Sequence, residues 1–273
     1  MEGSEGLYPS DLHDNEWEVI KDLLPSQKEG GRPRKTCLRK VVNAVLYVTT
    51  EGCTWRALPK DYPPWKTVYG YFSRWVVLGI WKLLHQELRA QVRIKEGKSV
   101  APYVAIIDGQ SVRAHYGEER GWDGYKKVRG RKRQILVDSL GLLLSVCVHR
   151  GNQQELTRAH EVLLKYPKDL ARPEKLLGDY GYGKSPFDVW VKLNWGIWIE
   201  CTKGTKEPYR NEQGRLRYRV STSNLKPTRW IVERTFAWFN FARRLAHDYE
   251  RKILNSEAFL YISQIPMMLK RVT

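Results

Sequence analysis

Apolar residues recur at helical spacing through the first third of the chain and at strand spacing after it. Leu38, Val41, Val42, Val45, Leu46 and Thr49 form one helical stripe that Gly52 closes. Ahead of it, Asp14 is placed to cap a helix over Glu16 to Leu24, which Pro25 ends. Behind it, Pro59, Pro63 and Pro64 mark a connector. Val68, Phe72, Trp75, Val76 and Ile80 then predict the inner face of one long helix from Trp65 to Arg93. Three helices on short connectors predict a helix-turn-helix-like unit, with Glu96-Gly97-Lys98-Ser99 as the linker out of it.

The period then changes. Val104 to Ile107 reads as a short buried strand, and Gln134–Val137 with Leu142–Val148 as a hairpin about the turn Asp138-Ser139-Leu140-Gly141. A helix over Thr157–Tyr166, a strand at Leu176-Leu177, a helix over Phe187–Leu193 and a strand over Gly196–Cys201 follow. Residues 203–228 are polar and basic, a loop or insertion. One helix is predicted from Thr228 to Arg251 and another from there to the C-terminus. The order predicts a small all-α domain over residues 1–98 and an α/β domain over 99–273, its mixed sheet flanked by helices.

Hydrophobic residues make up 42% of the 273, enough for a sizeable core. Lys and Arg number 47 against 30 Asp and Glu, a formal charge of +17. That excess favours a polyanionic partner, nucleic acid before a membrane surface, because no basic amphipathic helix stands out. The densest run is Lys126-Lys127-Val128-Arg129-Gly130-Arg131-Lys132-Arg133, which reads as a surface segment tracking DNA phosphates. Arg32, Arg34 and Lys35 sit in a Gly- and Pro-containing loop, either a minor-groove arm or a plain connector. The four cysteines lack metal-ligand spacing, and free thiols suit a reducing cytosol. The opening residues Met1 to Gly6 predict no signal peptide, and no apolar run approaches the ~18 residues of a membrane helix.

Against this basic background three acids occupy positions suited to divalent-cation chemistry. Asp108 ends the apolar run from Tyr103, Asp179 follows Leu176-Leu177-Gly178, and Glu233 lies on the predicted helix after residue 228. Sites in open α/β sheets form outside the carboxyl ends of strands. On its helix Glu233 shares a side with Arg229, Ala237, Asn240 and Arg244, apart from the apolar stripe of Ile231, Thr235, Trp238 and Phe239. Such a carboxylate is either a surface ion pair or a metal ligand between phosphate-binding arginines. Singly, each acid is more often a turn former or a solvated side chain.

Four stretches resemble bacterial insertion-sequence transposases of the DDE type: Asp108-Gly109-Gln110-Ser111-Val112, Arg131-Lys132-Arg133 leading into Ile135 to Gly141, Gly178-Asp179-Tyr180-Gly181-Tyr182, and Trp230-Ile231-Val232-Glu233-Arg234-Thr235. The N-terminal stretches Leu23-Leu24-Pro25, Gly31-Arg32-Pro33 and Gly52-Cys53-Thr54-Trp55-Arg56 also resemble theirs. The resemblance implies a ribonuclease H-like catalytic fold with the strands of Asp108 and Asp179 side by side. It makes Asp108, Asp179 and Glu233 the ligands of two Mg²⁺ ions, with Mn²⁺ as a substitute. It also implies double-stranded DNA as substrate (element ends and target), a homodimer on that DNA, and a place at the bacterial nucleoid. Many relatives carry a Tyr, an Arg and a Lys around the glutamate. Arg229 matches the Arg, while Lys226 and Asn240 stand at the other two positions.

Two other readings compete. Gly178 to Ser185 spells G-x-x-x-x-G-K-S, the phosphate loop of nucleotide hydrolases, but its tyrosines and Pro186 crowd a loop that must present backbone N–H groups. A DNA-binding regulator without chemistry, or a nuclease of the same fold, would share the basic charge. Trp122 and Trp230 are candidates to stack on an unpaired base, although core packing is the commoner use of tryptophan.

Overall fold

The stripe from Leu38 folds as a 14-residue helix, and Gly52 ends it at φ 72°, a left-handed conformation suited to glycine. The computed structural model describes residues 8–27, 34–117, 119–183, 185–201, 205–210, 213, 216–221 and 230–273, with 205–210 and 216–221 described by backbone alone. Within these, α1 spans Asp14–Ile20, α2 Leu38–Glu51, α3 Trp65–Val77 and α4 Ile80–Lys95. The N-cap of α1 is His13, not Asp14, and the Glu16 carboxylate accepts the His13 N–H at 2.9 Å. The helix expected from Trp65 to Arg93 is two helices. Gly79 at φ 70° turns the chain between them, because a left-handed residue cannot continue a right-handed ladder.

The strands are β1 (Val104–Arg113), β2 (Gly121–Asp123), β3 (Val128–Asp138), β4 (Leu143–Arg150), β5 (Lys175–Gly178) and β6 (Ile199–Cys201), with α5 (Glu155–Leu164) and α6 (Pro186–Trp195) between the later ones. The path runs β2–β3–β1–β5–β6, and β4 pairs with β3. β3 is antiparallel to β1 and β4, whereas β5 runs parallel to both β1 and β6. This is the ribonuclease H-like mixed sheet. β1 is far longer than its apolar run, because β3 keeps pairing with it through Arg113. The run ends where burial on both faces ends, not where hydrogen bonding ends, so Asp108 lies mid-strand.

Alternation along the strands sends side chains to two cores. Ile106, Ile135, Val137, Val146 and Leu177 join the helices α2, α3 and α4 in one cluster. The same cluster takes in α7 (Trp230–Phe239) and α8 (Ile253–Val272). Ala105, Ile107, Leu136, Leu176 and Ile199 face α5 and α6 in the other. Two short strands, β7 (Thr205–Arg210) and β8 (Leu216–Ser221), pair antiparallel within the stretch expected to be a loop or insertion. The helix predicted from Thr228 to Arg251 ends at Phe239. Ala242 is extended, and a 3-10 turn over Arg243–Leu245 follows. No helix among the described residues is long and apolar enough to cross a membrane.

Buried charge ties the layers together. Arg93 on α4 donates to Asp138 Oδ2 at 2.7 Å, and Asp138 Oδ1 accepts the N–H groups of Leu140 and Leu142 in the β3–β4 turn. Arg131 on β3 is fully buried. It donates to Asp248 Oδ1, to Ser256 Oγ and to the carbonyls of Glu250 and Arg251 in the α7–α8 connection. Arg133 donates to the Leu245 carbonyl at 2.8 Å. On the α4–α8 seam His85 donates from Nε2 to Gln264 Oε1, which also accepts the Leu143 N–H.

Two predictions arise here. Arg131→Met strips the cation from a buried Asp248 and should cost about 3–5 kcal/mol. Urea unfolding checks this, and pairing it with Asp248→Asn should return part of the loss. Burial also lowers the His85 imidazole from its usual value to about 3 and that of His149 to about 4. Both are neutral in the fold but take up a proton when unfolded, so their contribution is intact above pH 6.5 and lost as pH falls from there toward 4. Stability should fall by up to about 1.4 kcal/mol per pH unit for each histidine, read from unfolding curves at pH 7, 6 and 5.

Candidate active site

β1 and β5 pair in parallel with Val104 opposite Lys175, Ala105 opposite Leu176 and Ile106 opposite Leu177. Carried two residues further, past the end of β5 at Gly178, that register would set Asp179 opposite Asp108. Both are half-buried. Asp108 Oδ1 accepts the Gly109 N–H at 2.7 Å, and Asp179 Oδ1 accepts the Gly181 N–H at 2.9 Å. Tyr182, buried beside them, reports their shared field. Its phenol is raised well above the ordinary value by burial first, then by Glu155, Asp108 and Asp179. A pair of hard carboxylate oxygens of this kind suits Mg²⁺ or Mn²⁺ rather than a soft metal.

Glu233 is exposed on α7, on one side with Ala237 and Asn240. Ile231, Val232, Phe236 and Phe239 of that helix pack into the cluster that holds Ile106 and Leu177. Asp108 alternates in step with Ile106, so α7 covers the sheet face to which Asp108 points. Among the described residues no three His, Cys, Asp or Glu side chains gather closely enough to hold a metal ion by themselves. Asp108 and Asp179 thus lie on, or directly after, neighbouring parallel strands, and Glu233 lies on a helix packed against that sheet.

Two acids near the pair, Glu155 and Asp123, escaped sequence reasoning. A Cβ on Gly109 would lie 3.0 Å from the Glu155 carboxyl carbon, so the glycine lets this acid of α5 lie against β1. Burial raises the Glu155 carboxyl above its usual range; Lys132 opposes the shift, while Asp179 and Asp123 add to it. Lys132 Nζ lies 3.4 Å from Asp123 and 3.7 Å from Glu155. Asp123 in turn accepts the Ser111 hydroxyl at 2.5 Å. An acid in the first turn of a helix, as Glu155 is, reads in sequence as a dipole partner.

The basic run does not behave as one surface segment. Lys126, Lys127 and Arg129 are exposed. Arg131 and Arg133 are buried at 0% and 2% exposure, and Arg244 at 8%, bonded to Glu250 and the Cys53 carbonyl. All three guanidiniums are turned inward and bonded within the protein, unlike the surface placement expected for them. Lys132 has a side chain only 12% exposed and is held by its two acids. Of the N-terminal arm, Arg34 donates to the carbonyls of Pro25 and Ser26, tying down its own loop. Lys35 is exposed. Arg32, Lys184, Lys226 and Arg229 lie outside the described residues. Trp230 is 51% exposed with the Arg234 guanidinium 4.4 Å from its ring centre.

The phosphate-loop spelling is not built as a phosphate cradle. The Gly181 N–H is taken by Asp179, the Tyr182 N–H by the Asp179 carbonyl, and the Tyr182 ring is buried. Ser185 caps α6 by accepting the Asp188 N–H.

Residues 12–85 match the family described as "Putative transposase of IS4/5 family". The uncharacterized protein y4sN of Sinorhizobium fredii is 29% identical over 104 residues, covering 38% of this chain and 77% of that protein. An uncharacterized 16.2 kDa protein of insertion element IS402 from Burkholderia cepacia is 28% identical over 109 residues, 38% of this chain and 73% of that protein. Residues 100–264, more than half of the chain, match the family described as "Transposase DDE domain", and the chain belongs to that family.

Proposed function

We propose that the protein is a DNA transposase that binds the ends of an insertion sequence, cleaves the DNA backbone and transfers the freed 3′ ends to target DNA. What supports this reading is a chain of the DDE family in which β1, carrying Asp108, pairs in parallel with β5, which Asp179 directly follows. Asp108, Asp179 and Glu233 are the residues to hold divalent cations, two per site. When bound, such cations lower the pKa of a water, and neutralise charge on the attacked phosphate. Mg²⁺ commonly keeps several waters and takes only one or two carboxylates besides substrate phosphates. A trio converged in advance is therefore not a requirement.

The protein's own groups do the rest. The Gly109 and Gly181 N–H groups each fix one oxygen of an aspartate, which sets the orientation of both carboxylates. Lys35, Lys126, Lys127 and Arg129, exposed around the molecule, neutralise phosphates of the bound duplex. Arg229 is assigned a phosphate beside Glu233 from its spacing of four residues. Two ends must be joined in one event, so two copies act together.

Asp108→Asn and Asp179→Asn should each lower cation-dependent strand cleavage by about a thousandfold, several kcal/mol in the barrier, while a gel-shift assay finds duplex binding retained. Glu233→Gln should behave alike, and full cleavage by that variant refutes its role. Replacing Lys126, Lys127 and Arg129 together by Ala should weaken duplex binding. The same variant should flatten the salt dependence by about one unit of slope for each phosphate it no longer neutralises.

A further inference from the structure

The β2–β3 hairpin carries two aromatic rings that the protein itself does not bury. Trp122 is 56% exposed and Tyr125 88% exposed. Single exposed rings are ordinary on protein surfaces, but this tip is more than an isolated ring. Trp122 pairs across the strands with Arg129, both exposed, and Lys126 Nζ lies 5.2 Å from the centre of the Tyr125 ring. Lys127 takes the left-handed conformation at φ 54° to close the turn. The one acid between Gly121 and Gly130, Asp123, is turned inward. Its Oδ1 accepts the N–H groups of Tyr125 and Lys126 at 3.1 Å each, while Oδ2 accepts Ser111 and faces Lys132. The outer face of the tip thus shows only rings and cations, on a backbone held by Asp123. Through Lys132 and Glu155 it connects to the acidic pair.

We propose that this tip holds an unpaired DNA base, stacked on Trp122 or Tyr125, with Lys126, Lys127 and Arg129 on the flanking phosphates. The inference rests on DNA being the substrate and adds a strand-separated state of it. Every base offers a π-face, so rings bind unpaired bases without sequence preference, and cations beside them supply the phosphate attraction. A protein partner is the weaker candidate, because protein interface cores are depleted in lysine. A fixed tip also lowers the entropy cost of ordering the bound state.

Two labelled oligonucleotides test this with the full chain: a blunt duplex, and the same duplex carrying a single-stranded tail. Fluorescence anisotropy should show the tailed DNA bound more tightly, by about tenfold or more. Trp122→Ala with Tyr125→Ala should bring the ratio of the two affinities to about one. Trp122→Phe with Tyr125→Phe should keep most of it, since stacking needs the ring and not the hydroxyl or indole nitrogen. A native ratio of one, a ratio that survives the alanine pair, or an alanine pair that weakens both DNAs equally overturns the proposal. The first of these outcomes would leave the rings to a protein partner. Blunt-duplex binding is read in the same titration and carries the transposase reading separately. Tight blunt binding with no tail preference sinks only the hairpin, whereas binding to neither DNA sinks both.

Discussion

The burial of Arg131 is the constraint on which the arrangement over the sheet depends. A guanidinium taken out of water costs several kcal/mol unless its donors are met. Arg131 meets them with Asp248, Ser256 and the carbonyls of Glu250 and Arg251. These four partners lie between α7 and α8 or in the first turn of α8, and a fifth, the Glu119 carbonyl ahead of β2, accepts from Nε. The same connection is pinned to the end of β1, where Asp248 donates its N–H to the Arg113 carbonyl and accepts the His115 N–H. At its other end α7 is fixed by Thr235, whose hydroxyl donates to the Gly141 carbonyl in the β3–β4 turn. Held at both points, α7 lies across the face to which Asp108 points, and Glu233 travels with it.

Arg93 and Asp138 play the corresponding part for the N-terminal helices. Their ion pair joins α4 to the turn that also receives α7. The two buried ion pairs therefore converge on β3, the strand that carries the densest basic run in the chain. Replacing such pairs by apolar side chains is often neutral in stability. What they supply here is a single geometry between helix layer and sheet, because an arginine fork donates to carbonyls only in one orientation.

How much of this was readable from residues alone depended on distance along the chain. The α2 stripe with its Gly52 stop, the Asp138–Gly141 turn and the order of strands and helices after it are local patterns, and they hold. The break at Gly79 is also local. It is hidden because Trp75, Ile80 and Leu84 keep apolar spacing across it. The end of α7 at Phe239 was not legible, since Ala242 and Leu245 continue the stripe while Arg244 turns inward to Glu250. The basic run misled for a similar reason. Alternation in β3 sends Arg131 and Arg133 inward and leaves Arg129 out, and only the partners, more than 100 residues later, decide which arginine is buried. That the strands of Asp108 and Asp179 are neighbours was expected from family likeness, and β1 and β5 do pair in parallel. Glu155, able to approach β1 only because Gly109 has no side chain, left no signal of its own.

Charge around β1 is arranged in a way that suits a divalent cation. A formal +17 suggests a surface that simply attracts phosphate. Yet Arg89, Arg93, Arg131, Arg133 and Arg244 are buried, so the excess facing DNA is smaller than the sum. Around β1 the local balance is reversed. Asp179 and Asp123 push the Glu155 carboxyl up, Asp108 and Asp179 push Tyr182 up, and Lys132 is already shared between Asp123 and Glu155. A phosphodiester steered in by the outlying cations would meet a negative field at the point where Asp108 and Asp179 stand. Divalent charge held between carboxylate and phosphate would reverse that repulsion.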